Sequence, residues 1–134
     1  MRRETEKRLL QAATALACLV PLSMGLTSVI RSAEVLRGME PPFPIDLDSH
    51  YRYLSGLLLG IGLTFLLSIP RIETRATVFR ALGLVIFIGG AARLLSLVEH
   101  GPPGFGHQFG LVMELVVVPA IVLWQARVAK RFAG

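Results

Sequence analysis

The chain has 134 residues, 53% of them hydrophobic and 17% charged, with a formal net charge of +5 and a mean hydropathy of +0.61. A soluble domain of this length has too much surface to cover with so little polarity, so these figures point away from a soluble enzyme, a disordered tail and a disulfide scaffold. The single cysteine, Cys18, allows no intrachain disulfide and no cysteine metal cage.

Four long apolar stretches are predicted as helices, in chain order. The basic segment Met1 to Arg8 leads into the first, residues 9–30, which holds Cys18 as a small buried side chain and Pro21 as a kink. It is too long for the apolar part of a signal peptide and no small-x-small cleavage site follows, so it is read as a span. A loop from Arg31 to His50 follows, carrying Gly38-Met39-Glu40-Pro41-Pro42-Phe43-Pro44, which no regular helix tolerates. The second stretch covers residues 51–69, with Asp48 or Ser49 as its cap and Gly56-x-x-x-Gly60 as a close-packing pattern. A short turn at Pro70 makes the second and third stretches antiparallel neighbours. The third covers residues 78–98, and the tight turn Gly101-Pro102-Pro103-Gly104-Phe105-Gly106 joins it to the fourth, residues 109–125, where Pro119 is expected to kink or loosen the helix. Each stretch is about 17–22 residues, enough for a helix to cross about 30 Å of hydrocarbon. The expected fold is all-α: an integral membrane four-helix bundle, with residues 1–134 as a single four-span domain.

Ten of the fourteen basic residues fall on one side of this threading: Arg2, Arg3, Lys7 and Arg8 before the first span, Arg71, Arg75 and Arg80 between the second and third, and Arg127, Lys130 and Arg131 after the fourth. The excess of Lys and Arg marks the cytoplasmic side, which puts both termini there. Six of the nine acids and all three histidines fall toward the other side. The basic residues punctuate apolar runs and form no stripe interleaved with aromatics, so nucleic acid is not expected as a partner.

The informative residues are charges within the spans. Arg93 lies about five residues before the outer end of the third span and Glu114 about five residues inside the outer start of the fourth, so at 1.5 Å per residue both sit about 7–8 Å below the interface. A lone charge at the bilayer centre costs at least ~2.5 kcal/mol, and an arginine and a carboxylate at one depth relieve that cost by pairing. Helical spacing aligns Gly89, Gly90 and Arg93, with Ser96 and His100, on the third span; His107, Gly110 and Glu114 on the fourth; and Arg52, Ser55, Gly56 and Gly60 on the second. Two readings stand side by side. Arg93 and Glu114 clamp helices together, or an outward-opening binding pocket is lined by His50, Arg52, Arg93, His107 and Glu114. With two arginines against one glutamate, such a pocket favours a polar or anionic head group. The histidines also read as ordinary loop residues, and Asp46, Asp48 and His50 have no specific metal-ligand spacing.

His50-Tyr51-Arg52-Tyr53-Leu54-Ser55-Gly56, Gly89-Gly90-Ala91-Ala92-Arg93-Leu94-Leu95-Ser96, Gly101-x-Pro103, Glu114, Pro119 and Trp124-Gln125 together resemble domain-of-unknown-function family 4345. The resemblance covers most of the chain and implies a small four-helix protein of the bacterial inner membrane with no established activity. The chain is also distantly similar to the DoxX-like group, some members of which accompany quinone-linked oxidoreductases. No haem, flavin, P-loop, dinucleotide or hydrolase motif is present, so neither a cofactor nor enzymatic activity is expected. The sequence is read as an accessory or binding protein whose polar pocket takes a lipid, a quinone or a small amphiphile. Its other expected partners are membrane lipids, and a larger membrane complex or a second copy of the chain. The alternatives are a small proton-coupled transporter using Glu114 and a purely structural scaffold.

Overall fold

A computed structural model describes residues 1–134. The chain is all-α: α1 (Arg3–Arg31), a 3-10 turn (Ser32–Val35), α2 (Ile45–Ser68), a second 3-10 turn (Ile69–Thr74), α3 (Ala76–His100), α4 (Phe105–Val112), one π-helical turn (Met113–Val117) and α5 (Val118–Ala133), with no strand. Four helical segments are long and apolar enough to cross a membrane: Arg3–Val35, Ile45–Thr74, Ala76–His100 and Phe105–Ala133. Each contains one of the apolar stretches and runs past it, because flanks such as Glu4-Thr5-Glu6-Lys7-Arg8 and Ala126-Arg127-Val128-Ala129-Lys130-Arg131 are made mostly of good helix formers. Large apolar side chains face outward, Leu16, Leu67, Val98 and Leu123 each being at least two-thirds exposed, while several of the buried side chains are small or polar. That inversion belongs to a multi-pass membrane protein, in which lipid is as apolar as leucine and helices associate through close packing.

Two compact units make up the chain, Thr14–Leu67 and Met1–Ala13 with Ser68–Gly134. In the first, α1 buries Thr14, Cys18, Gly25 and Ser28 and α2 buries Ser55, Gly62 and Phe65, spacings of three, four and seven that mark one face of each helix. The two backbones meet at glycines: a Cβ on Gly25 would lie 2.9 Å from the Leu59 nitrogen, and one on Gly62 3.1 Å from the Pro21 ring. Gly56 and Gly60, expected as the packing pair, face open space. Gly56 follows the buried Ser55 by one residue, which is a rotation of about 100° round the helix and carries it off the packed face. The expected cap at Asp48 or Ser49 is also displaced. Helix α2 starts a turn earlier, at Ile45, and Asp48 donates its backbone N–H to the Pro44 carbonyl.

In the second unit α3 packs along the π turn and α5. Gly83 and Gly90, seven residues apart on α3, are buried. A Cβ on Gly83 would come within 2.7 Å of Val122 Cγ2, and one on Gly90 within 2.8 Å of Glu114 Cβ. At the basic end of this unit Leu10, Ile72, Phe79, Gln125 and Val128 are almost wholly buried. The second 3-10 turn is tied down from both sides, since Gln11 Nε2 donates to the Ile69 carbonyl at 2.9 Å and Gln125 Nε2 to the Ile72 carbonyl at 2.7 Å. The Ile72 carbonyl also accepts the Arg75 N–H at 3.2 Å, so Gln125 supplies the second bond that its oxygen can take.

Candidate functional site

The Gly101–Gly104 connection folds α4 back against α3 and brings the intramembrane charges together. Arg93 Nε donates to Glu114 Oε2 at 3.0 Å and Arg93 Nη2 to Glu114 Oε1 at 3.1 Å, the parallel two-bond geometry that guanidinium and carboxylate planes allow. Arg93 Nη1 lies 2.7 Å from His107 Nδ1. Arginine has no acceptor, so Nδ1 must accept, and the imidazole is neutral with its proton on Nε2. The guanidinium lies over Gly110, whose absent side chain would sit 3.7 Å from Arg93 Cζ. The side chains of Arg93 and Glu114 are 33% and 19% exposed, so the pair is half-buried with an open edge.

Local sequence explains this arrangement. Gly90, one turn before Arg93, lets the Glu114 backbone approach α3. Pro119 has no N–H and its ring crowds the preceding turn. The helix answers with the π turn Met113–Val117 immediately before it, and Glu114 lies in that turn. The expected loosening at Pro119 therefore takes the form of a wide turn around the carboxylate, a feature that recurs at functional sites. Gly89 faces open space, and Ser96 and His100 are exposed.

Arg52 and His50 belong to the other unit. Arg52 Nε donates to both Asp48 carboxylate oxygens at 3.1 Å, and Arg52 Nη1 donates to the carbonyls of Val29 and Ile30. These are orphan acceptors of the last turn of α1, so Arg52 caps that helix. Just beyond, Ser32 is fully buried with φ of 54°, the left-handed conformation in which helices often end and for which glycine is usual. His50 is exposed. The two-arginine charge surplus expected of the pocket is not present, because Asp48 offsets Arg52 as Glu114 offsets Arg93.

At the basic end, Glu6 joins the two ends of the sequence. Its side chain is 6% exposed and pairs with Arg127 at 3.0 Å and with Arg131, while Lys7 pairs with Glu73 at 3.0 Å. The only sequence signal is an acid among arginines and lysine at helical positions. Its partners lie more than a hundred residues away, beyond any local pattern.

Comparison with known proteins adds a family and no activity. No curated protein and no solved structure matches the chain. The family model described as Domain of unknown function (DUF4345) matches residues 9–125, a range that holds Arg93, His107, Glu114 and Pro119 and every apolar stretch. The chain belongs to the DUF4345 family.

Proposed function

We propose that the protein is an accessory component of the bacterial inner membrane, with both termini cytoplasmic, and that Arg93 and His107 hold the head group of a membrane-dissolved amphiphile. The observation behind this reading is a surplus of donors at a half-open edge. A guanidinium has five N–H groups; three are used, two on Glu114 and one on His107, leaving two, beside the Nε2–H of His107. Arginine, glutamate and neutral histidine sum to zero charge, so the complementary ligand is a neutral acceptor and not an anion. A carbonyl-bearing amphiphile fits, a quinone or a lipid ester, entering from the hydrocarbon. Proton-coupled transport is less well supported, since Glu114 gives both carboxylate oxygens to Arg93.

A photoactivatable quinone analogue tests the proposal on the purified protein in lipid vesicles. Labelling is expected on the peptides carrying α3 and α4, displaced by excess unlabelled quinone. It should fall several-fold in His107→Ala, which removes one donor and leaves the Arg93–Glu114 pair in place. Equal labelling of His107→Ala and wild type, or labelling that unlabelled quinone does not displace, would overturn it.

A further inference from the structure

Outside that site, the densest chemistry is at the opposite end of the same unit. Of the eleven Lys and Arg residues in Met1–Ala13 and Ser68–Gly134, all but Arg93 lie near the basic ends of α1, α3 and α5, with only Glu4, Glu6 and Glu73 against these ten. Glu6 takes Arg127 and Arg131, and Glu73 takes Lys7. The other seven cations have no ion pair. Between the second 3-10 turn and the last turn of α5 lies a cleft of about 470 Å³ lined by Glu73, Thr74, Ala129, Phe132 and Ala133. Its aromatic wall carries two cations, Arg3 with Cζ 5.2 Å and Lys7 with Nζ 5.4 Å from the centre of the Phe132 ring. Lys7 also neutralises the one carboxylate of the lining.

We infer that this cleft is a binding site for an anionic phospholipid. Its phosphate meets the Arg3 and Lys7 cations at the rim, and its glycerol and upper acyl chain lie against Phe132, Ala129 and Ala133. The place fits the ligand, because the cleft is at the ends of membrane-spanning helices, where lipid phosphates lie, and basic pockets between such helices suit anionic head groups. Nucleic acid fits poorly, since the cations ring helix ends and form no continuous track. This site is separate from the Arg93 edge and stands without it.

Trp124, the single tryptophan, is five residues before Ala129 on α5, about 7–8 Å along the axis, within reach of bromine quenching. Its fluorescence is measured in phosphatidylcholine vesicles receiving increasing fractions of brominated phosphatidylglycerol or brominated phosphatidylcholine. The anionic lipid is expected to quench at a several-fold lower fraction than the zwitterionic one. Arg3→Gln, an exposed cation with no carboxylate partner, should weaken that preference about fivefold, the value of one cation at an anionic surface. Arg3→Lys should keep it, and Arg37→Gln, in the loop of the other unit, should leave it unchanged. Equal quenching by the two lipids overturns the inference, as does an Arg3→Gln preference equal to wild type or an equal loss in Arg37→Gln.

Discussion

Arg93 is held on three of its five donors by two partners, and the cost of removing either partner differs. Losing Glu114 leaves a guanidinium at membrane depth without a counter-charge. Losing Arg93 leaves a carboxylate in the same position without a counter-charge. Breaking such a pair from one side costs about 3 kcal/mol, whereas replacing both members with apolar side chains is close to neutral. Arg93→Leu and Glu114→Leu are therefore each expected to lower thermal stability in detergent, and the double variant to recover most of the loss. With about 3 kcal/mol lost in each single variant and most of it recovered in the double, a double-mutant cycle should return a coupling of about 5 kcal/mol; additive losses would mean that the two groups do not depend on each other. The partnership was legible in sequence because charge inside an apolar run is rare, and helical rise alone gave the two residues a common depth. Arg52 was not legible in the same way, since its role depends on where α1 ends and on the left-handed Ser32 beside it. Ser32→Gly should relieve that backbone strain and raise stability by about 0.5–1 kcal/mol, measured by thermal unfolding in the same detergent.

At the scale of elements, glycines decide how closely helices approach, and their identity in the sequence does not say which of them do so. Gly89 and Gly90 are adjacent, and Gly56, Gly60 and Gly62 share one helix, yet only Gly90 and Gly62 of these sit under a neighbouring side chain. A rotation of one residue about the helix axis separates the two cases, and hydropathy is too uniform along these spans to fix that rotation. Substitution tests the assignment directly. Gly90→Ala puts a methyl 2.8 Å from Glu114 Cβ, so α3 and the π turn must separate, and a loss of about 2 kcal/mol is expected, in the range of overpacked cores. Gly89→Ala and Gly60→Ala meet nothing and should be neutral or slightly stabilising, since alanine is the better helix former. Comparable losses at Gly89 and Gly90 would place α3 in a different rotation. The π turn was legible only as a disturbance at Pro119; proline marks a missing N–H, and whether a helix bends, breaks or widens there depends on the packing around it.

For the whole molecule, charge distribution sets the threading. Ten of the eleven Lys and Arg residues of the Met1–Ala13 and Ser68–Gly134 unit lie near one end of its spans, Arg93 being the exception. The loop Leu36–Pro44, on the other side of the first span, carries Glu40 and a single arginine, Arg37. The cost of moving basic clusters across a membrane during insertion retains them in the cytoplasm, so the proposed orientation has both termini inside and that loop outside. Cys18 is the single cysteine and is buried, and Cys18→Ser gives a background free of reactive thiols. On it, Glu40→Cys should react with a membrane-impermeant maleimide added to spheroplasts, and Gly134→Cys should react only after the membrane is opened. The reverse pattern would invert the threading, placing the basic cleft on the outer face and its Lys and Arg excess against the rule that sets the topology. The lipid-binding cleft would then need an anionic outer leaflet, whereas the Arg93 edge, which takes its ligand from the hydrocarbon, would be unaffected. Orientation thus separates the two proposals: one depends on which leaflet the basic end meets, and the other on hydrogen bonding within the membrane alone.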